Sequence, residues 1–471
     1  MIHLPRRVWL RAAFLLIVAL AVLGPLVLTG ADDAEPVGLA PTRTKPDVVL
    51  ILTDDQRTDT LMSMPSVRRL LVDQGTRFTE AHVPNSLCCP SRATILTGLY
   101  SHHTGVWTNG GWDGGWRTFA KHGNETRTMA VALQREGYRT ALIGKYLNGY
   151  GHKAPIGYVT PGWSVFEPFR HASAAGAYYN YRLGDSPKLY GEASKDYSTD
   201  VLSRRAINFI WSTPRDQSLF LYLAPYASHG PFTPAPRDVG KLQGKVSTSR
   251  PDSADASLAG EPAWNQARPR IPQSTVQYLR ERQGESLTAV DDAVGAIVAA
   301  LEHSGRLRHT MIVFMSDNGY LNGEHRIIGK NVPYEEATSI PLVIRWDGRV
   351  RAGAVDTRLT SNVDIAATIA DAAGATMTTD GQSLLGNGRR TGLLLEAAYA
   401  VKYKRPAYCG WRDDDWLFAH YTTGEEELYS VRNDPQELHN LAADPGQSAV
   451  LASLRAATKT ACNPVPPTFH W

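Results

Sequence analysis

Residues 46–55 read Pro-Asp-Val-Val-Leu-Ile-Leu-Thr-Asp-Asp. Val48 to Leu52 is an unbroken apolar run without polar alternation, the pattern of a strand buried on both faces. It ends on two adjacent carboxylates. The same pattern recurs along the chain. Residues 140–143 lead into Gly144-Lys145, residues 219–223 into Ala224-Pro225, and residues 310–315 into Ser316-Asp317-Asn318-Gly319. Helical periods stand between them, at 128–136 and at 285–303, where Leu287, Val290, Val294, Ile297, Val298 and Leu301 fall on one face. Strands alternating with helices predict an α/β fold, a mainly parallel sheet covered on both sides. Polar clusters recur at the carboxyl ends of its strands, the edge where open α/β sheets hold their ligands.

Two of those ends carry oxygen-bearing pairs, Asp54-Asp55 and Asp317-Asn318. Each pair alone reads as a turn former. Together they can converge on one hard cation, which would also relieve the repulsion between adjacent carboxylates. A third element, residues 88–98, reads Cys-Cys-Pro-Ser-Arg-Ala-Thr-Ile-Leu-Thr-Gly. Pro90 suits a first helical turn, so a helix is expected to start there, and its amino end favours an anion. Two adjacent cysteines in an exported chain can otherwise mean disulfides or a buried thiol.

Cys88-x-Pro90-Ser91-Arg92 followed by Leu96-Thr97-Gly98 resembles the signature of the type I, formylglycine-dependent sulfatases. The resemblance runs from about Pro46 to about Pro445 and includes Glu427-Leu428-Tyr429 and Asp380-Gly381-Gln382-Ser383-Leu384-Leu385. It implies an alkaline-phosphatase-like fold with a smaller C-terminal α+β subdomain, divided as a catalytic domain at 46–350 and a subdomain at 351–471. It implies that Cys88 is oxidised to formylglycine by a formylglycine-generating enzyme. Asp54, Asp55, Asp317 and Asn318, with the modified Cys88, would hold a metal, Ca²⁺ first and Mg²⁺ second. Arg92 would hold the aldehyde hydrate. Lys145, His229 and Lys330 match the family's sulfate-contacting residues, with His229 or Lys330 as the acid for the leaving group. One hydroxyl of the hydrate attacks sulfur; the other loses its proton and expels sulfate.

Leu147 departs from the pattern, because many sulfatases have a histidine two residues after the equivalent of Lys145. The Lys145-Tyr146-Leu147-Asn148 form and the Cys-Cys pair resemble the N-acetylglucosamine-6-sulfatase branch. Asn148 and His325 are then candidate substrate contacts, and His102 and His103 are further substitutes for the missing histidine. The Trp-rich segment 105–117 either stacks on a substrate ring or packs into the core. The implied function is hydrolysis of a sulfate ester, on a sulfated sugar or another sulfated small molecule. The alternatives are a phosphonate monoester hydrolase or phosphodiesterase of the same superfamily, and a non-catalytic sulfated-glycan binding protein.

With 471 residues the chain has room for one large domain and a smaller one. Lys and Arg total 49 against 46 Asp and Glu, a near balance that argues against a nucleic-acid binder. Arg6, Arg7 and Arg11 precede an apolar run from Ala12 to Leu28, and Thr29-Gly30-Ala31 offers a cleavage site. Residues 1–31 therefore read as a signal peptide, or as an uncleaved anchor and the one membrane attachment, and residues 32–45 as a linker. A secreted or cell-envelope protein is expected. In an oxidising compartment Cys409 and Cys462 are free to pair, which leaves Cys89 over. Residues 238–275 show no period and read as a long loop or insertion.

Overall fold

The apolar run at 48–52 forms the middle of a nine-stranded sheet. Its strands are β1 (Asp47–Thr53), β2 (Thr76–Phe78), β3 (Arg139–Gly144), β4 (Val165–Arg170), β5 (Arg182–Leu183), β6 (Leu219–Ala224), β7 (Thr310–Ser316), β8 (Leu342–Arg345) and β9 (Ala354–Asp356). Their spatial order is β9-β2-β8-β7-β1-β6-β3-β4-β5. The central strands β7, β1, β6, β3 and β4 run parallel, and β8 is antiparallel to β7. The computed structural model describes residues 45–170, 177–246, 258, 260–401 and 404–471. The segment expected to direct export, and the linker up to residue 44, lie outside the described residues. Among the described residues no helix is long and apolar enough to cross a membrane.

The unbroken apolar runs follow from the packing. Val48, Leu50 and Leu52 face one side of the sheet with Phe220, Met311 and Val313, under helices α1 (Cys88–Thr97) and α2 (Met129–Arg135). Val49 and Ile51 face the other side with Leu221, Ile312 and Phe314, under α3 (Ser198–Ser212) and α4 (Gln273–His303). Successive residues point to opposite faces, and both faces are covered, so every position must be apolar.

Three expectations change. The predicted helix at 285–303 starts twelve residues earlier, at Gln273. Val276 and Leu279 are buried there, but the charged run Arg280-Glu281-Arg282 hides the period. The expected loop at 238–275 accordingly ends inside this helix and includes the short helix Ala263–Gln266; residues 247–257 and 259 lie outside the described residues. The large layer also runs past the expected division at 350. Strand β9 pairs with β2, and α5 (Asp364–Ala373) packs against α1 and α2. The smaller sheet begins at Leu393, with β10 (Leu393–Ala397), β11 (Tyr408–Arg412), β12 (Trp416–Tyr421) and β13 (Glu426–Ser430) antiparallel in sequential order, and α6 (Ser448–Ala461) against it.

Cys409 of β11 is bonded to Cys462 at the end of α6, across 53 residues of chain. Closing a loop of that length removes entropy from the unfolded chain equivalent to about 4 kcal/mol. Cys462→Ala is therefore expected to lower stability by a few kcal/mol, about 2–5, in a denaturant titration. A reductant should shift the wild-type midpoint the same way and leave the variant unmoved.

Candidate active site

Four neighbouring parallel strands deliver their carboxyl ends to one place. Backbone hydrogen bonds continue the ladder beyond the strands: Asp317 N donates to Thr53 O (3.1 Å), Asp54 N to Ala227 O (3.1 Å), and Lys145 N to Ala224 O (2.7 Å). Gly144 makes the last of these approaches possible. Its φ is +112°, and a Cβ there would stand 2.1 Å from Ala224 O. Asp54 and Asp55 follow β1, Asp317 and Asn318 follow β7, Lys145 follows β3, and His229 lies in the turn after β6.

Helix α1 aims its amino end at this edge. Leu87 is extended, Cys88 is the first helical residue, and Gly98 closes the helix at φ 70°. All ten helical residues are buried. Cys89 N donates to Asn109 Oδ1 (2.8 Å), which satisfies one of the free amides of the first turn. Cys88 Sγ stands 3.5 Å from Asp54 Oδ1 and 2.7 Å from Lys330 Nζ. Burial pushes the Cys88 thiol up to about 12, despite Lys145 and Lys330 nearby.

Oxygens of Asp54, Asp55 and Asp317 lie within 4.8 Å of one another, all buried. Asp55 takes a left-handed φ of 62°. Asn318 Nδ2 donates to Asp55 Oδ1 (2.6 Å). Lys145 is bonded to Asp54 and Lys330 to Asp55, and Lys330 Nζ also lies 3.4 Å from Asn318 Oδ1. Arg92 sits behind the carboxylates. Its Nε donates to Asp317 Oδ2 (2.7 Å), its Nη1 to Lys145 O (2.9 Å), and its Nη2 is 3.8 Å from Asp54 Oδ2. Burial would push Asp54 up, but Lys145, His229 and Arg92 together outweigh it and hold the carboxyl at about 2. Burial would lower Lys145 and Lys330, yet Asp54 and Asp55 keep both ammoniums charged, above their ordinary range. Three carboxylates thus face three cations.

The donors fit a hard divalent ion. They are side-chain oxygens, they converge from two adjacent strands, and the Lys330 ammonium already sits among Asp55 Oδ1, Asn318 Oδ1 and Cys88 Sγ. His229 stands at the rim. Its Nδ1–H donates to Gly230 O (2.8 Å), so Nε2 faces Asp55 Oδ2 at 3.8 Å. Burial, with the two lysines, lowers its ionisation below the ordinary range, against the pull of Asp54 and Asp55.

Not every candidate reaches this cluster. Asn148 lines a cavity of about 150 Å³ beside Lys145, with Tyr150, Phe169 and Tyr226, and its Oδ1 is buried without a hydrogen-bond partner. His325 lies apart, bonded through Nδ1 to Glu261 (2.8 Å) and stacked on Tyr334. His102 pairs with Glu396 of β10 and His103 with Asp380, and neither is bonded to Cys88. Of the tryptophans at 105–117, Trp107 and Trp116 are buried, and Trp116 donates to Glu125; Trp112 is 77 % exposed. Three contributors were not among the candidate site residues. Ser91, inside the cysteine motif, donates to Asp317 O and accepts from Asn362. Asn109 holds the helix amide. Tyr226 lies 5.4 Å from Lys145 Nζ and 4.7 Å from the His229 ring. Its place just after a predicted strand end was the available signal.

Comparison with known proteins identifies the family. The family model described as Sulfatase matches residues 46–375, and that described as N-sulphoglucosamine sulphohydrolase, C-terminal, matches residues 323–462. An N-acetylglucosamine-6-sulfatase of Homo sapiens is 34% identical over 368 residues, covering 74% of this chain and 65% of that protein. The chain thus spans somewhat less than two thirds of that relative's length. Among solved structures, one of a protein in complex with its substrate D-glucosamine-2-N,6-O-disulfate superimposes with a TM-score of 0.77 at 22% identity, covering 88% of this chain and 97% of that one. The phosphonate monoester hydrolase of Agrobacterium radiobacter gives 0.69 at 22% identity, covering 88% and 96%. At such identities the two structures speak for the fold. The sulfatase match runs from the first strand of the large sheet through α5, and the chain belongs to the sulfatase family.

Proposed function

We propose that this chain hydrolyses a sulfate ester of a sugar, releasing inorganic sulfate, with Cys88 acting after oxidation to formylglycine. One observation carries the reading: Cys88 Sγ heads a buried helix 2.7 Å from Lys330 Nζ and 3.5 Å from Asp54 Oδ1, inside a ring of carboxylates and cations. Sγ stands where the oxygen carried by the oxidised Cβ would stand. A thiol held at about 12 is a weak nucleophile at neutral pH, so the position suits the oxidised side chain better than cysteine itself. Hydrated formylglycine supplies two hydroxyls on one carbon, one to attack sulfur and one whose deprotonation lets sulfate go.

Asp54, Asp55, Asp317 and Asn318, with the oxidised Cys88, would hold Ca²⁺, with Mg²⁺ as second choice. A bound ion polarises a sulfate oxygen and favours the deprotonated nucleophile. Arg92 braces Asp54 and Asp317 from behind and helps hold Asp54 ionised. Lys145 and Lys330 offer positive charge to the oxygens of the transferring group. His229 Nε2 donates the proton to the leaving oxygen, with its other nitrogen fixed on Gly230. A sulfate anion beside it opposes the depression of its ionisation and favours the imidazolium. Asn148 serves as a substrate contact in the cavity next to Lys145. The sugar reading rests on the named relative, and a 6-sulfated N-acetylglucosamine is the first substrate to try. Export fits both the Arg-rich apolar amino end and the Cys409–Cys462 bond.

The protein matured with a formylglycine-generating enzyme is expected to release sulfate from N-acetylglucosamine 6-sulfate. A faster rate on a phosphonate monoester would move it to that activity, and binding without release would make it a glycan-binding protein. Peptide mass spectrometry should find the aldehyde at residue 88 and not at 89, and Cys88→Ala should be inactive. Asp317→Ala should lose bound metal and at least about 100-fold in activity together, since it removes both a ligand and the partner of Arg92. Full turnover in metal-free protein would refute the ion's role. His229→Ala should lower kcat/KM on a sugar sulfate far more than on an aryl sulfate, whose phenol leaves with little protonation. An equal loss on both would hand the acid role to Lys330.

A further inference from the structure

His325, Glu336 and Glu437 come together away from Cys88. One ligand atom from each lies within 4.8 Å of the others, and all three side chains are buried. His325 Nε2 is 3.9 Å from Glu437 Oε2. Two ligands that each stand about 2.0–2.2 Å from a shared ion can be up to about 4 Å apart. His325 is 2 % exposed and Glu437 1 %, and His325 Nε2 and Glu437 Oε1 are buried without a hydrogen-bond partner.

The surroundings prepare the imidazole for a metal. Glu261 accepts from Nδ1–H at 2.8 Å, so Nε2 is the ring nitrogen turned toward Glu437. Tyr334 stacks on the ring at 3.9 Å and 5°, fixing its plane. Glu335 N holds Glu437 Oε2 at 3.1 Å. Glu261 and Glu335 also face the cluster, with Arg57 on the Glu336 side and Arg412 and His82 against Glu335.

We propose that His325, Glu336 and Glu437 form a second divalent-metal site, structural in role and suited to zinc. An imidazole among carboxylates selects zinc-class ions over calcium, in contrast to the all-oxygen set at Asp54. The site has a mechanical consequence. His325 and Glu336 flank Lys330 in the chain, and Glu437 belongs to the segment after β13. One ion would close both ends of the Lys330 loop and bind it to the C-terminal region.

The test is a calorimetric zinc titration of the full chain in excess calcium. One zinc ion should bind. Glu437→Gln and His325→Gln should each weaken it by about 100-fold or more, and Glu261→Gln by about 10–100-fold through the imidazole. No zinc uptake, or the same affinity in His325→Gln and Glu437→Gln, overturns the proposal. Should a variant fail to fold, zinc-soaked wild-type crystals decide it. An anomalous difference peak about 2.0–2.2 Å from His325 Nε2 supports the site, and a map without one refutes it. Neither measurement reads sulfate release, so this site and the proposed activity stand or fall separately.

Discussion

Burying three carboxylates at one spot is the constraint on which this molecule depends. Asp54, Asp55 and Asp317 are all but inaccessible to water, and ionised groups so placed survive only if opposite charge is built in beside them. The fold supplies it from three directions. Arg92 arrives from a helix, Lys145 from a neighbouring strand end, and Lys330 from a loop beyond β7. Removing any one would leave a buried charge unmatched. The order β7-β1-β6-β3 is what allows these groups to meet, because only adjacent parallel strands present their ends side by side.

The same arrangement gives the lysines two jobs. In the resting site they neutralise carboxylates; next to an anion they can turn to it. Tyr226 stands between Lys145 and His229 and touches both. The cluster of carboxylates and lysines and the adjoining cavity therefore share one wall, so a change at that ring would be felt on both sides.

Much of this was legible in the chain. The runs at 48–52 and 310–315 needed no partner to be recognised, because a strand covered on both faces has no polar positions to confuse it. The pairs that follow them pointed to a common edge. Legibility failed where direction depends on distant packing. His325 sits in a left-handed turn, φ 52°, that sends its ring toward Glu261 and Tyr334 and away from Cys88; spacing along the chain carries no trace of that. The start of α4 was masked by the half-buried charged run Arg280-Glu281-Arg282. The end of the large layer was missed because β9 is three residues long and owes its place to pairing with β2.

Helix α1 carries one more implication. Its ten residues are sealed on every side, and Cys88 has no exposed surface at all. On the proposed chemistry, oxidation of Cys88 therefore belongs before this helix docks: a molecule that folds with its thiol intact has the architecture without the proposed nucleophile.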